Sequence, residues 1–197
     1  MIIKKKRPVI ELILTLLFFS ASIYYIHKKD FRSEVQLTIA AKISQPDNWK
    51  LLIDKERPLV AAVSPAADFT AVNFQLPCTK FGHARFVPGW KKGIAAIKYI
   101  KAAGLFDSHT WDSTALKTIF DNRQGIKRTF VRKDYFYIKT MGNESFLQFN
   151  QEACRTIDRI SGNKTIFYFP AIALGLFFFY FVHFFAPRGL AFFFKPG

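Results

Sequence analysis

Apolar and polar residues are spread unevenly along this chain. Two long apolar runs lie near the ends, residues 9–26 (VIELILTLLFFSASIYYI) and 165–186 (TIFYFPAIALGLFFFYFVHFFA). Between them, apolar and polar positions alternate. Val35, Leu37, Ile39, Ala41 and Ile43 interleave with Gln36, Thr38, Ala40, Lys42 and Ser44, the period-two pattern of a half-buried strand. Pro46-Asp47-Asn48 is a turn signal, and residues 49–53, 59–63, 69–76 and 84–87 read as further strands, the last stopping at Pro88-Gly89. Residues 94–102 carry Ile94, Ile97 and Ile100 at helical spacing but Ile97, Tyr99 and Lys101 at strand spacing, and the neighbouring strands favour a strand here too. Residues 129–140 and 145–150 close the series. Residues 107–123 read as a short helix or an ordered loop, and residues 152–160 as a helix.

Short strands at regular spacing, with turns between them, predict an antiparallel β-sandwich, jelly-roll-like, each sheet burying one face. The terminal runs add a second layer of organisation. A helix needs about 20 mostly apolar residues to cross a bilayer core of ~30 Å, and runs of 18 and 22 residues fit. The expected fold class is therefore mainly β, an extracytoplasmic antiparallel β-sandwich between two transmembrane α-helices. Lys4, Lys5, Lys6 and Arg7 precede the first run, and such a cluster is retained on the cytoplasmic side. The resulting plan is a basic cytoplasmic start at 1–8, a first helix at 9–27, an outside domain at 28–164, a second helix at 165–186 and a cytoplasmic tail at 187–197. A bacterial inner membrane with a periplasmic domain fits. The first run could instead be a signal peptide, but its apolar stretch is long for one. His183 sits near the inner end of the second run.

Charge sharpens the picture. Lys and Arg total 29 against 14 Asp and Glu, and residues 28–164 alone hold 23 against 13, a net charge of +10. A basic surface outside the cytoplasm favours anionic glycans or lipid headgroups, besides the lipid bilayer itself, and does not call for nucleic acid. The Phe-rich second run and the apolar tail leave room for other membrane proteins as partners. The two cysteines, Cys78 and Cys154, both fall in the outside segment, so one disulfide is a candidate, as are two separate thiols.

A resemblance attaches to one stretch. Phe74-Gln75-Leu76-Pro77, then His83-Ala84-Arg85-Phe86-Val87-Pro88-Gly89, then Gly93 to Ile100, resembles a run seen in carbohydrate-binding-module-like β-sandwiches. There an apolar strand ending in proline leads to an arginine-bearing strand and then to an isoleucine-rich one. Such domains accompany bacterial membrane glycosyltransferases and cell-envelope polysaccharide proteins. The resemblance implies glycan binding. It does not imply transferase activity, because the many-helix core of those enzymes has no counterpart in this sequence.

Candidate binding residues follow. Trp90 comes after Pro88-Gly89 and before Lys91 and Lys92, a stacking platform beside two cations, with Arg85 and Trp111 as further candidates. Trp49, within a strand, reads as core. Asp107, His109 and Asp112 could approach a metal, but their spacing matches no metal signature. No P-loop, G-x-G-x-x-G, H-E-x-x-H, nucleophile elbow or C-x-x-C is present, which argues against an enzyme and calls for no cofactor. Asn143-Glu144-Ser145 and Asn163-Lys164-Thr165 match the glycosylation acceptor pattern. The function these readings converge on is a membrane-anchored accessory protein that binds an anionic envelope glycan or a lipid-linked saccharide. A structural subunit of a membrane complex is the second reading, and an enzyme using residues 107–112 the third.

Overall fold

The computed structural model describes residues 3–28, 32–54, 57–89, 91–142, 145–162 and 165–184, with side chains in the terminal helices at 13–26, 28 and 168–181. The chain forms two compact units, Arg32–Asn163 and a second made of Met1–Phe31 with Lys164–Gly197. Trp90, Asn143, Glu144, Asn163, Lys164, the tail from 187 onward and the His183 side chain lie outside the described residues.

Arg32–Asn163 is mainly β. Its strands are β1 (Val35–Ile43), β2 (Asp47–Ile53), β3 (Leu59–Val63), β4 (Thr70–Leu76), β5 (Ala84–Val87), β6 (Ile94–Ala103), β7 (Ser108–Asp112), β8 (Phe120–Gln124), β9 (Ile126–Arg132), β10 (Tyr135–Thr140) and β11 (Phe146–Phe149). They make two antiparallel sheets. Sheet A has the order β4-β1-β6-β10-β9, with β7 also paired to β6, and sheet B has the order β3-β2-β5-β11-β8. The sheets pack face to face, as the alternation predicts. Val35, Leu37, Ile39, Ala41 and Ile43 of β1 are all buried. Trp49 is fully buried and meets Phe86 edge-on at 5.0 Å, so it is core. Phe120 of sheet B stacks on Phe136 of sheet A at 6.1 Å and touches Phe149 at 4.9 Å.

The mixed spacing in β6 has a physical cause. Ala40 pairs with Tyr99 and Ala41 with Ile97, so Lys98 is an extra residue in the ladder, a β-bulge. The bulge resets the inward phase. Ile97 and Ile100, three residues apart, are both fully buried, while Lys101 is exposed and Ile94 stays largely outside. What reads as helical spacing is a strand with one inserted residue, and Ile97, Tyr99 and Lys101 do not share a buried face.

Two stretches differ from expectation. Residues 107–123 fold as β7, a short 3-10 turn at Ala115–Lys117 and β8, not as a helix. Trp111 of β7, Leu116 of the turn and Phe120 of β8 are all buried, so the irregular apolar spacing spans three small elements. Residues 129–140 are a hairpin rather than one strand. Arg132-Lys133-Asp134 supplies the reversal, with Lys133 at a positive φ of 54°.

The helix α1 (Ile3–Lys28) begins the chain, α2 (Gln151–Ser161) follows β11, and α3 (Thr165–Phe184) comes last. Helix α2 starts on Asn150, whose side chain accepts from Ala153 N at 2.7 Å, and buries Ala153, Cys154, Ile157 and Ile160 on one face against β1 and β6. Gly104 permits this approach: a Cβ there would stand 2.8 Å from Ile160 Cγ2. The two ends of the sandwich meet at α2. Ser33 N donates to Ser161 O at 2.8 Å, Ser161 Oγ donates to Ser33 O at 3.2 Å, and Arg32 pairs with Asp158 at 2.5 Å.

In the second unit, α1 and α3 pack antiparallel. Phe18 stacks on Phe178 at 4.8 Å, and Ile26 shares an apolar cleft with Ala171. Among the described residues no helix is long and apolar enough to cross a membrane. The side chains at 9–12, 165–167 and 182–186, which complete the two apolar runs, lie outside the described residues.

Candidate functional site

Strand pairing decides which side chains meet on the outer face of sheet A. Residues directly opposite each other in a sheet share a face. Phe136, fully buried, is opposite Val131, which packs on the core. The next pairs therefore point outward: Tyr135 opposite Arg132, Tyr137 opposite Phe130, and Lys139 opposite Arg128. The Phe130 and Tyr137 rings stack at 4.9 Å with 8° between their planes. Tyr135 meets Tyr137 edge-on at 6.4 Å, and Phe69 comes to 4.7 Å from Tyr135. Lys42 Nζ donates to Ala67 O and ties down the segment that carries Phe69. At the far end, the Arg128 guanidinium lies 5.4 Å over the Phe130 ring.

The result is a row of half-buried rings, Phe69, Tyr135, Tyr137 and Phe130, bordered by Arg128, Arg132 and Lys139. Among the described residues no acidic side chain is paired with these three cations. Flat aromatic faces carry negative π density that attracts the polarised C–H groups of a sugar ring, and adjacent cations attract its carboxylates or phosphates.

The residues nominated from sequence are dispersed. Trp111 is buried opposite Ile100 and packs into the core, so its ring offers no platform, which corrects that expectation. Arg85 is on the outer face of sheet B, its guanidinium 5.0 Å over Phe146. Lys91 and Lys92 are exposed, beside a space of only about 20 Å³, room for roughly one water. Their loop is pinned for structural reasons. Asp47 Oδ2 accepts from Lys91 N at 2.8 Å, Lys91 Nζ donates to Pro46 O, and Thr140 Oγ1 accepts from Gly93 N at 3.0 Å. Gly89 has φ +101°, and a Cβ there would lie 2.2 Å from Asp47 Oδ2.

Asp107, His109 and Asp112 do not converge. Among the described residues no three His, Cys, Asp or Glu gather as a metal site. His109 pairs with Ala102 and meets the Trp111 ring at 4.7 Å, on the inward side of β7. Asp112 Oδ1 accepts from Ala115 N, Thr114 Oγ1 and Thr114 N at 2.8, 2.6 and 3.0 Å, and these bonds hold its carboxyl below the usual carboxylate range. Its role is to close the turn. Cys78 is an exposed free thiol and Cys154 a buried one, so the candidate disulfide is not formed. Cys154 faces inward from α2 beside the core, and burial pushes its thiol up.

No known protein family, curated protein or solved structure matches this chain.

The aromatic row was present in the sequence as Phe130, Tyr135 and Tyr137. Reading 129–140 as one strand placed Phe130 out of phase with the tyrosines. Recognising Arg132-Lys133-Asp134 as a reversal would have brought the rings together.

Proposed function

We propose that this protein is a membrane-anchored module whose extracytoplasmic β-sandwich binds an anionic envelope glycan or a lipid-linked saccharide on the outer face of β9 and β10. One observation carries the reading: the Phe130–Tyr137 stack is bordered by Arg128 and Lys139, two cations directly opposite each other with no acidic partner among the described residues. Like charges facing across a ladder are destabilising, so an anion placed between them is favoured before any specific contact is made. The rings add sugar-face contact and the cations add charge recognition. The net charge of +10 between residues 28 and 164 raises the local concentration of polyanions.

Anchoring rests on the two apolar runs. On α1, Ile13, Leu14, Leu16 and Leu17 are exposed, and on α3 so are Leu174, Leu176, Phe177 and Phe181. Helices apolar all round are unfavourable in water and belong in a lipid or protein interior. The N-terminal basic cluster supports a reading with the termini in the cytoplasm and the sandwich in the periplasm of a bacterial inner membrane. The same exposed apolar helices also favour the second reading, a subunit of a larger membrane complex.

The test is titration of the full chain in mild detergent with an acidic polysaccharide, its carboxyl-reduced neutral form and a single-stranded oligonucleotide. The proposal expects binding to the acidic polysaccharide, weaker binding to the neutral form, and loss in Phe130→Ala or Tyr137→Ala. Preference for the oligonucleotide, or binding unchanged by both variants, would sink it. Stoichiometric co-purification with other membrane proteins would support the subunit reading.

A further inference from the structure

The opposite outer face of the molecule carries a second concavity, built by sheet B. Leu51 pairs with Phe86 and both are buried, so their neighbours in the ladder point outward: Lys50 opposite Val87, and Leu52 opposite Arg85. On the next strand Leu147 faces the core, which turns Phe146 and Gln148 outward. Leu52, Val87, Phe146 and Pro58 floor a groove of about 390 Å³, and its wall is overwhelmingly apolar. That volume falls within the ~300–1,000 Å³ of small-ligand sites. Gln124 and Lys50 stand at its margin, and Arg85 lies over the Phe146 ring that forms one side.

We propose that this groove binds a single-headed amphipathic anion, an acyl or prenyl chain ending in a carboxylate or phosphate. The floor selects an apolar chain. The basic residues set the sign of the head, and among the described residues no acidic side chain lines the groove. A peptide is disfavoured because the groove lies over β2, β5 and β11, which are paired on both sides and have no free backbone groups to offer an added strand. Apolar contact on the floor grows with the apolar surface removed from water, which favours a chain over a compact headgroup. The site is separate from the aromatic row, which lies on the other sheet, and stands or falls without it.

The full chain in mild detergent is labelled with a photoactivatable fatty acid carrying a diazirine near its tail, alongside the matching fatty alcohol, and the crosslinked peptides are mapped by mass spectrometry. Crosslinks to the peptides that carry Leu52, Val87 or Phe146, stronger for the acid than for the alcohol, are expected. Leu52→Glu places a negative charge on the outward floor of the groove and should cut labelling at least tenfold. Arg85→Gln should reduce labelling by the acid and leave the alcohol unchanged. A circular-dichroism melt confirms that each variant is folded. If Leu52→Glu unfolds, Leu52→Gln replaces it, with reduced labelling expected. Crosslinks spread over the surface, equal labelling by acid and alcohol, or full labelling of the folded floor variant would overturn the proposal.

Discussion

Arg128 and Lys139 stand directly opposite one another on β9 and β10, both on the outer face of sheet A. Two like charges in that position cost stability, by about 0.2–1 kcal/mol relative to a neutral pair. Lys139→Glu should therefore raise the urea midpoint while lowering affinity for an acidic polysaccharide. Opposite movements of stability and binding in one variant distinguish a ligand site from an ordinary basic surface. A fall in both would count against it.

Trp111 and the aromatic row make a contrasting pair. Trp111 is 5 % exposed and fills the core beside Ile100. Trp111→Ala should cost about 3–5 kcal/mol in chemical denaturation. Tyr137→Ala, at a half-buried outward position, should cost much less and yet remove more binding. Equal losses of stability would show that the two rings are not divided between core and surface.

The bulge at Lys98 predicts an unusual scan. Ile97→Ala and Ile100→Ala should each cost about 2–5 kcal/mol, because both side chains are fully buried. Ile94→Ala, on the exposed side, should stay within about 0.5 kcal/mol. Deleting Lys98 would remove the inserted residue and leave Ile97 and Ile100 two positions apart on one face, with their pairing to β1 unchanged, so the cooperative transition should persist.

The thiols should differ sharply. A disulfide reagent at neutral pH should modify Cys78 at once and Cys154 only on unfolding. Burial raises the Cys154 thiol, so the folded chain keeps that proton to higher pH than the unfolded chain does. The stability this group contributes is present below its ordinary value and declines as pH rises through the raised one. Cys154→Ala should flatten that alkaline decline, which a pH series of denaturation midpoints would reveal.

Asp112 has the reverse sign. Its carboxyl is held low by the Ala115 and Thr114 donors, so its contribution is present above the ordinary carboxylate value and fades as pH falls through the lowered one. Asp112→Asn should lose this acid dependence, and amide exchange at Ala115 should quicken.

Much of the sandwich could be read from alternation alone, because a strand with one buried face writes its geometry at period two. The edges of β1, β3 and β5 were legible for that reason. Three features hid. The β6 bulge broke the period by one residue and mimicked a helix. The β7–β8 region used elements too short to establish any period. The 129–140 hairpin shifts its inward phase by one across the turn, from Val131 to Phe136, so a single-strand reading put Phe130 on the wrong face. The binding face depended on that hairpin, since Phe130 meets Tyr137 only when two strands lie side by side. Tryptophans drew attention by rarity, but size favours burial, and Trp49 and Trp111 went to the core.

The hydrogen bonds between Ser33 and Ser161 close the sandwich on itself, so the segment they bracket leaves and returns to the chain at one point. Chain ends that meet at one point are the geometry that favours insertion into a surface loop of a host through short flexible linkers, or reopening elsewhere once the ends are joined. An insertion of this kind would transplant whatever the two outer faces recognise without transplanting the apolar runs.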